Sequence, residues 1–277
     1  MPIQQPHVTL NDGRMMPQFG LGVWRTPKDD AAPVVRTALE AGYRSIDTAA
    51  AYANERGVGQ GIASAELGGE AVFLTTKLWN DNQGYDAALT AFDKSLDRLG
   101  LEAVDLYLIH WPAPKKNLYL DTWRAFVRIQ QDGRARSIGV SNFEPEHLQR
   151  LIDETGVTPA VNQIELHPSF QQRRLRAFHA EHGIRTESWS PLGQGQELED
   201  PVVAEIARKH GKTPAQVIIR WHLDSDLIVI PKSVTPSRIR ENIGVFDFKL
   251  DAGDLDRLAA LDSADGRIGP DPNTADF

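Results

Sequence analysis

Short apolar runs alternate eightfold with longer amphipathic segments over about 250 residues, and this pattern limits the chain to very few folds. The runs fall near 19–21, 43–47, 71–76, 105–109, 136–140, 160–164, 184–188 and 227–230. The segments between them carry helical punctuation. The pattern over 30–41 has Pro33 in its first turn and Gly42 after its end, while 86–99 sets Leu89, Phe92, Leu96 and Leu99 on one face before Gly100. Asp200-Pro201, Thr213-Pro214 and Thr235-Pro236 each put a capping side chain before a proline at the first helical position, and Gln216 completes a capping box with Thr213. Ahead of the first run, residues 7–18 hold Asp12-Gly13 between two apolar pieces, a hairpin signal. The alternation predicts an α/β fold, a closed (β/α)8 TIM barrel, with an open doubly wound sheet as the competing architecture. No linker or low-complexity tract interrupts it, so residues 1–277 read as a single domain.

Composition removes several function classes. A net charge of -8 argues against nucleic-acid binding, which requires a basic excess. With no cysteine, disulfides, thiolate nucleophiles and cysteine metal sites are excluded. No apolar run is long enough to span a bilayer, and the start (Met1-Pro-Ile-Gln-Gln-Pro6) has no basic-then-apolar export signal. The expectation is a soluble cytoplasmic protein without nucleic-acid or membrane partners.

A barrel carries its chemistry at the C-terminal ends of its strands. Residues suited to chemistry fall there: Trp24, Asp47, Lys77, Trp79, His110, Trp111, Ser141, Asn142, Gln163, Trp189, Ser190, Lys232 and Ser233, with Tyr52 in the loop after Asp47. Four of the six tryptophans are in this set, which predicts an aromatic-walled pocket. Taken singly, Asp47 reads as a loop aspartate, Lys77 as a solvated lysine, Tyr52 as a packing residue and His110 as a satisfied strand histidine. As an ordered set on one barrel face, an acid, a lysine, a phenol and an imidazole are the parts of a proton-transfer site.

The motifs DTAAAY (47–52), TTKLW (75–79), DLYLIHWP (105–112), SIGVSNF (137–143), VNQIELHP (161–168) and IPKS (230–233) together resemble the aldo-keto reductases over nearly the whole chain, in the same order. LWND (78–81), Trp189 and PLGQG (191–195) are most similar to the bacterial 2,5-diketo-D-gluconate reductases of that family. The resemblance implies a barrel with an N-terminal hairpin plug, usually monomeric, that binds NADPH and reduces small aldehydes or ketones to alcohols. It implies Tyr52 as general acid, Lys77 as its electrostatic partner, Asp47 as the anchor of Lys77, and His110 as a neutral imidazole orienting the carbonyl. Elementary chemistry agrees: hydride arriving at a carbonyl carbon leaves charge on oxygen, so a proton donor is needed within reach. A cation beside the phenol is expected to lower its pKa.

The resemblance further implies a nicotinamide site from Ser141, Asn142 and Gln163, with Trp189 as stacking face where much of the family has tyrosine. Gly22, Val23 and Trp24 border this site, and Ser190, Leu192, Gly193 and Gln194 belong to a loop folding over the pyrophosphate. Lys232, Ser233, Val234, Thr235 and Arg238 would take the 2′-phosphate at a helix start, with Glu241 and Asn242 one turn on toward adenine. Substrate would contact Trp24, Tyr52, Trp79, His110 and Trp111, and the polar tail after Asp262 reads as a mobile loop over the pocket. No metal site is expected. Gly57-Val-Gly-Gln-Gly61 lacks the strand-turn-helix context of a dinucleotide fingerprint, and His179-Ala-Glu-His182 misses zincin spacing and reads as two solvated histidines. Two other function classes stay open: a barrel lyase or isomerase using Lys77 as a Schiff base, and a non-catalytic NADPH-sensing relative.

Overall fold

Two short antiparallel strands, β1 (His7–Thr9) and β2 (Met15–Pro17), begin the fold, and Gly13 supplies the φ of 82° their turn requires. The computed structural model describes residues 5–65, 67, 71–275 and 277; the first four residues, part of the start read for an export signal, lie outside that set. Eight parallel strands follow: β3 (Leu21–Gly22), β4 (Ser45–Asp47), β5 (Phe73–Leu78), β6 (Val104–Ile109), β7 (Ala135–Ser141), β8 (Val161–Glu165), β9 (Arg185–Trp189) and β10 (Ile228–Val229). They pair in sequence order, and the bridges Phe19↔Val229 and Gly22↔Lys232 join the last strand to the first. The sheet is therefore a closed barrel, as the alternation predicted, and the open-sheet alternative is set aside.

The helices between strands are α1 (Ala31–Glu40), α2 (Glu55–Ala63), α3 (Tyr85–Leu99), α4 (Tyr119–Gln131), α5 (Pro145–Thr155), α6 (Arg173–Glu181), α7 (Pro201–His210), α8 (Pro214–Asp224), α9 (Pro236–Asn242) and α10 (Ala252–Ala259). Asp200 caps α7 through the amides of Val202 and Val203, and Thr213 with Gln216 forms the expected capping box on α8. Thr235 makes no side-chain cap on α9; its own amide instead donates to Ser233 Oγ. The glycines at 57, 59 and 61 sit on α2, where a methyl group on Gly59 would lie 2.0 Å from the Leu99 carbonyl oxygen, so they permit close helix packing. Among the described residues, no helix is long and apolar enough to cross a membrane.

Two cores result. Helices pack on the outside of the barrel around Val35, Leu39, Phe92, Tyr107, Trp123, Phe126 and Ile218. Inside, the hairpin residues Val8, Leu10 and Met16 meet Leu106, Leu108, Val161 and Ile228, so the hairpin plugs the N-terminal end. Side chains alternate in and out along each strand. The residues that follow Leu106 and Leu108, or Val161, two positions further along on the same face include His110 and Gln163. The barrel interior is thus apolar at the plugged end and polar at the open one.

Candidate active site

The open end of the barrel contains a cavity of about 1080 Å³. Sixteen of the predicted site residues line it: Gly22, Trp24, Asp47, Tyr52, Trp79, His110, Trp111, Ser141, Asn142, Gln163, Trp189, Ser190, Leu192, Gln194, Lys232 and Arg238. Arg25, Ala51, Pro191, Gly195, Ile230, Ile268, Gly269 and Pro270 also line it; apart from Arg25 they belong to the quoted motifs or to the tail expected over the pocket, without an individual role having been assigned. Lys77 lies behind Tyr52, fully buried. Val23 is in the core, and Gly193 packs against Glu197. Ser233 bonds within its own loop, Val234 and Thr235 are exposed, Asn242 is buried, and Glu241 accepts from Thr213 Oγ1.

Register brings the reactive groups together. Asp47 pairs with Thr75 across β4 and β5, so Lys77, two residues past Thr75, reaches back over Asp47. The Lys77 ammonium spends its three donors on Asp47 Oδ1 at 2.6 Å, the Thr48 carbonyl at 2.9 Å and the Tyr52 hydroxyl at 3.4 Å. The Tyr52 and His110 rings meet edge-on with centroids 5.6 Å apart. Nδ1 of His110 is buried without a partner among the described residues, which leaves Nε2 facing the cavity.

Electrostatics define what each group can do. Burial pulls the Lys77 pKa down, but Asp47 and the Tyr52 oxygen outweigh it and hold the ammonium above the ordinary lysine value. Burial drives His110 well below the usual imidazole value, with the Lys77 charge adding to the effect, so the ring is neutral. For Tyr52 the expected lowering by Lys77 is present but does not prevail. Burial raises its pKa and exceeds the lowering by Lys77, while Asp47 pushes upward again. The phenol keeps its proton at neutral pH, and the help from Lys77 is felt once charge begins to develop on the oxygen.

Amide groups complete the wall. Gln163 Nε2 donates to Asp47 Oδ2 at 2.8 Å and to a second buried acid, Glu187 Oε2, at 2.9 Å. Both of its hydrogens are committed, so its carbonyl oxygen is left to accept from a ligand. Asn142, in the left-handed region at φ 64°, donates to the His110 carbonyl and to Ser141 Oγ, and its Oδ1 accepts the Trp189 indole N–H at 2.7 Å. That last bond fixes the orientation of the indole ring at the cavity wall. At the far rim, Lys232 and Arg238 are exposed cations.

A second cluster, missed in the sequence, holds the rim. His167 lies buried between Glu165 (3.1 Å) and Glu197 (2.8 Å). Glu165 also accepts the amides of Ile268 and Gly269. Phe277 stacks on Trp79 with centroids 5.7 Å apart and meets Trp111 edge-on at 5.2 Å. The tail expected to be loose is therefore tied down. Its period-2 spacing, Gln163, Glu165, His167, was the available signal. His179 is likewise not solvated: it is buried, bonded to Asn162 and Thr186, and its pKa falls to about 3 through burial.

Burial alone would lower His167, but its bonds to the two carboxylates raise it above the ordinary imidazole value. A raised histidine contributes stability that is full below the unfolded pKa and is lost as pH rises through the folded one. His167→Leu should therefore cost about 3–5 kcal/mol at pH 6, since it takes the one cation from two buried acids and leaves them only neutral donors, the amides of Ile268 and Gly269 and the Ser169 amide and hydroxyl. The deficit should shrink as pH rises. Urea denaturation measures both, and amide exchange at Ile268 and Gly269 should accelerate.

Comparison with known proteins agrees with this geometry. Residues 16–263 match the Aldo/keto reductase family. The chain is 59% identical over 272 residues to an aldo-keto reductase of Mycolicibacterium smegmatis, covering 98% of each chain. It is 54% identical over 268 residues to the methylglyoxal reductase DkgA of Salmonella typhimurium, covering 96% of each. A Gox0644 mutant solved in complex with NADPH superimposes with a TM-score of 0.96 at 56% identity, covering 99% of this chain and 100% of that one. A fully closed barrel, the reactive groups on one wall of its mouth and a family match over most of its length lead to one conclusion: this chain belongs to the aldo/keto reductase family.

Proposed function

We propose that this protein reduces small aldehydes and ketones to alcohols with NADPH, and that Tyr52 is the proton donor. The observation that carries the reading is the buried Asp47–Lys77 pair held against the Tyr52 hydroxyl at the cavity wall. NADPH, when bound, supplies the hydride. Gln163 would accept from its carboxamide, Trp189 would stack on its ring, and Lys232 with Arg238 would hold its 2′-phosphate, as two rim cations in a chain of net charge -8 are suited to do.

The chain's own residues do the rest. His110, neutral, donates through Nε2 to the substrate oxygen and orients it. As negative charge develops there, Tyr52 transfers its proton and Lys77 stabilises the phenolate left behind. Asp47 keeps Lys77 charged and aimed. Trp24, Trp79 and Trp111 wall the substrate space, which suits compact dicarbonyls such as methylglyoxal or 2,5-diketo-D-gluconate. The reading is of one domain over 1–277, a monomer working in the cytoplasm.

Schiff-base chemistry at Lys77 fits poorly. Its ammonium is fully engaged and its pKa raised, so the free amine that must attack a carbonyl is depleted. Loss of NADPH absorbance with a carbonyl panel tests the main reading, and borohydride trapping of substrate on Lys77 would favour the other. Lys232→Gly with Arg238→His should weaken NADPH binding by about 10–100-fold, one or two charge-assisted hydrogen bonds, and NADH binding far less. Equal losses for both cofactors would remove the phosphate assignment.

A further inference from the structure

One acid inside the barrel has no part in the reduction as written. Glu187 lies on β9, two residues before Trp189, with its side chain fully buried. In register it faces Gln163 on β8 and Ile228 on β10. Its Oε2 accepts one N–H of the Gln163 amide, and the other N–H of that amide goes to Asp47. Its Oε1 is buried with no partner among the described residues.

No cation is left for it. Lys77 has used all three hydrogens on Asp47, Thr48 and Tyr52. The titratable groups acting on Glu187 are Asp47 from β4 and Lys77 from β5, and Glu187 in turn acts on Tyr52 from the loop after β4; its register neighbours Gln163 and Ile228 are uncharged. One ammonium and one amide thus serve two carboxyl groups. In such a pair the acid without the cation keeps its proton.

We propose, on the reading of Tyr52 given above, that Glu187 is a positioning residue for the reduction: a neutral carboxyl that fixes the Gln163 amide and, on losing its proton to solvent, weakens Tyr52 as an acid. The physical route is short. A second negative charge in this closed interior opposes formation of the Tyr52 phenolate: once ionised, Glu187 raises the Tyr52 pKa. Burial first, and the Asp47 charge second, push Glu187 up to about 8, so the change falls within the working range of an assay.

The test is the pH profile of kcat for carbonyl reduction at saturating NADPH, compared between the unmodified protein and Glu187→Gln. Each protein is compared with its own rate at about pH 6, so absolute activity does not enter. The unmodified protein should lose rate through about pH 8, whereas the variant, neutral at every pH, should hold it. By about pH 9.5 the relative rates should differ by about tenfold, one pKa unit of the phenol. Parallel profiles would overturn the proposal.

Carboxyl carbon chemical shifts in the unmodified, full-length protein give an answer even if the variant does not fold. A Glu187 signal already ionised at about pH 6 would overturn the proposal, and a midpoint near 8 would support it. Parallel profiles in a protein that still depends on the Tyr52 hydroxyl would remove Glu187 alone, leaving the general acid in place.

Discussion

Tyr52→Phe is expected to lower kcat for carbonyl reduction by about 10²–10⁴-fold, the usual contribution of a positioned general acid. The phenyl ring can keep the edge-on contact with His110 at 5.6 Å, so the substitution removes the hydroxyl with little disturbance of packing. Lys77 loses its weakest partner, the 3.4 Å contact, and keeps Asp47 and the Thr48 carbonyl. Stability should therefore change little. NADPH affinity should also hold, because the residues assigned to the cofactor, Gln163, Trp189, Lys232 and Arg238, lie on other strands and loops of the cavity. Steady-state kinetics and a fluorescence titration with NADPH measure the two quantities separately. Turnover at the unmodified rate would remove Tyr52 from the mechanism.

Lys77→Met should damage both activity and folding. Lys77 and Asp47 are among the most deeply buried charges of the barrel, so removing the ammonium leaves an acid with only the Gln163 amide for support. Breaking a buried pair in this manner costs about 3–5 kcal/mol. Adding Asp47→Asn removes the stranded charge and should recover much of the stability, measured by urea denaturation at pH 5 and pH 8. Activity should not return, since nothing would then stabilise the developing phenolate. Recovery of turnover in the double variant would show that Lys77 acts only through folding.

Much of this was legible because neighbours along one strand face are two residues apart. Lys77 and Trp79, or Gln163 and Glu165, announce a polar barrel mouth in the sequence itself. Caps and turns were legible for the same local reason: Thr213 with Gln216, Asp200, and Asp12-Gly13 act over a few residues. Thr235 is the exception: its side chain accepts no bond from the first turn of α9, and its own amide donates to Ser233 Oγ.

Long-range contacts set the limits of that reading. His179 looks like a surface residue in a charged helix until β8 supplies Asn162 as its partner. The tail after Asp262 looks loose until Glu165, about a hundred positions earlier, takes two of its amides. Glu187 looks like an ordinary strand acid until the barrel closes around it.

The sequence by itself determined the order of strands and helices, the placement of Asp47, Lys77, His110 and Gln163 at strand ends, and the family. The first two follow from periodicities of two and 3.6 residues that need no partner across space, and the family from its resemblance in six ordered motifs between residues 47 and 233. Only the tertiary structure decided that Tyr52 keeps its proton and that Glu187 shares one amide with Asp47, and it supplied burial as the cause of the neutral His110 that the resemblance implied. A pKa depends on burial and on charges brought within a few ångströms, and in a closed barrel those come from residues as distant in sequence as Asp47 and Gln163, 116 positions apart.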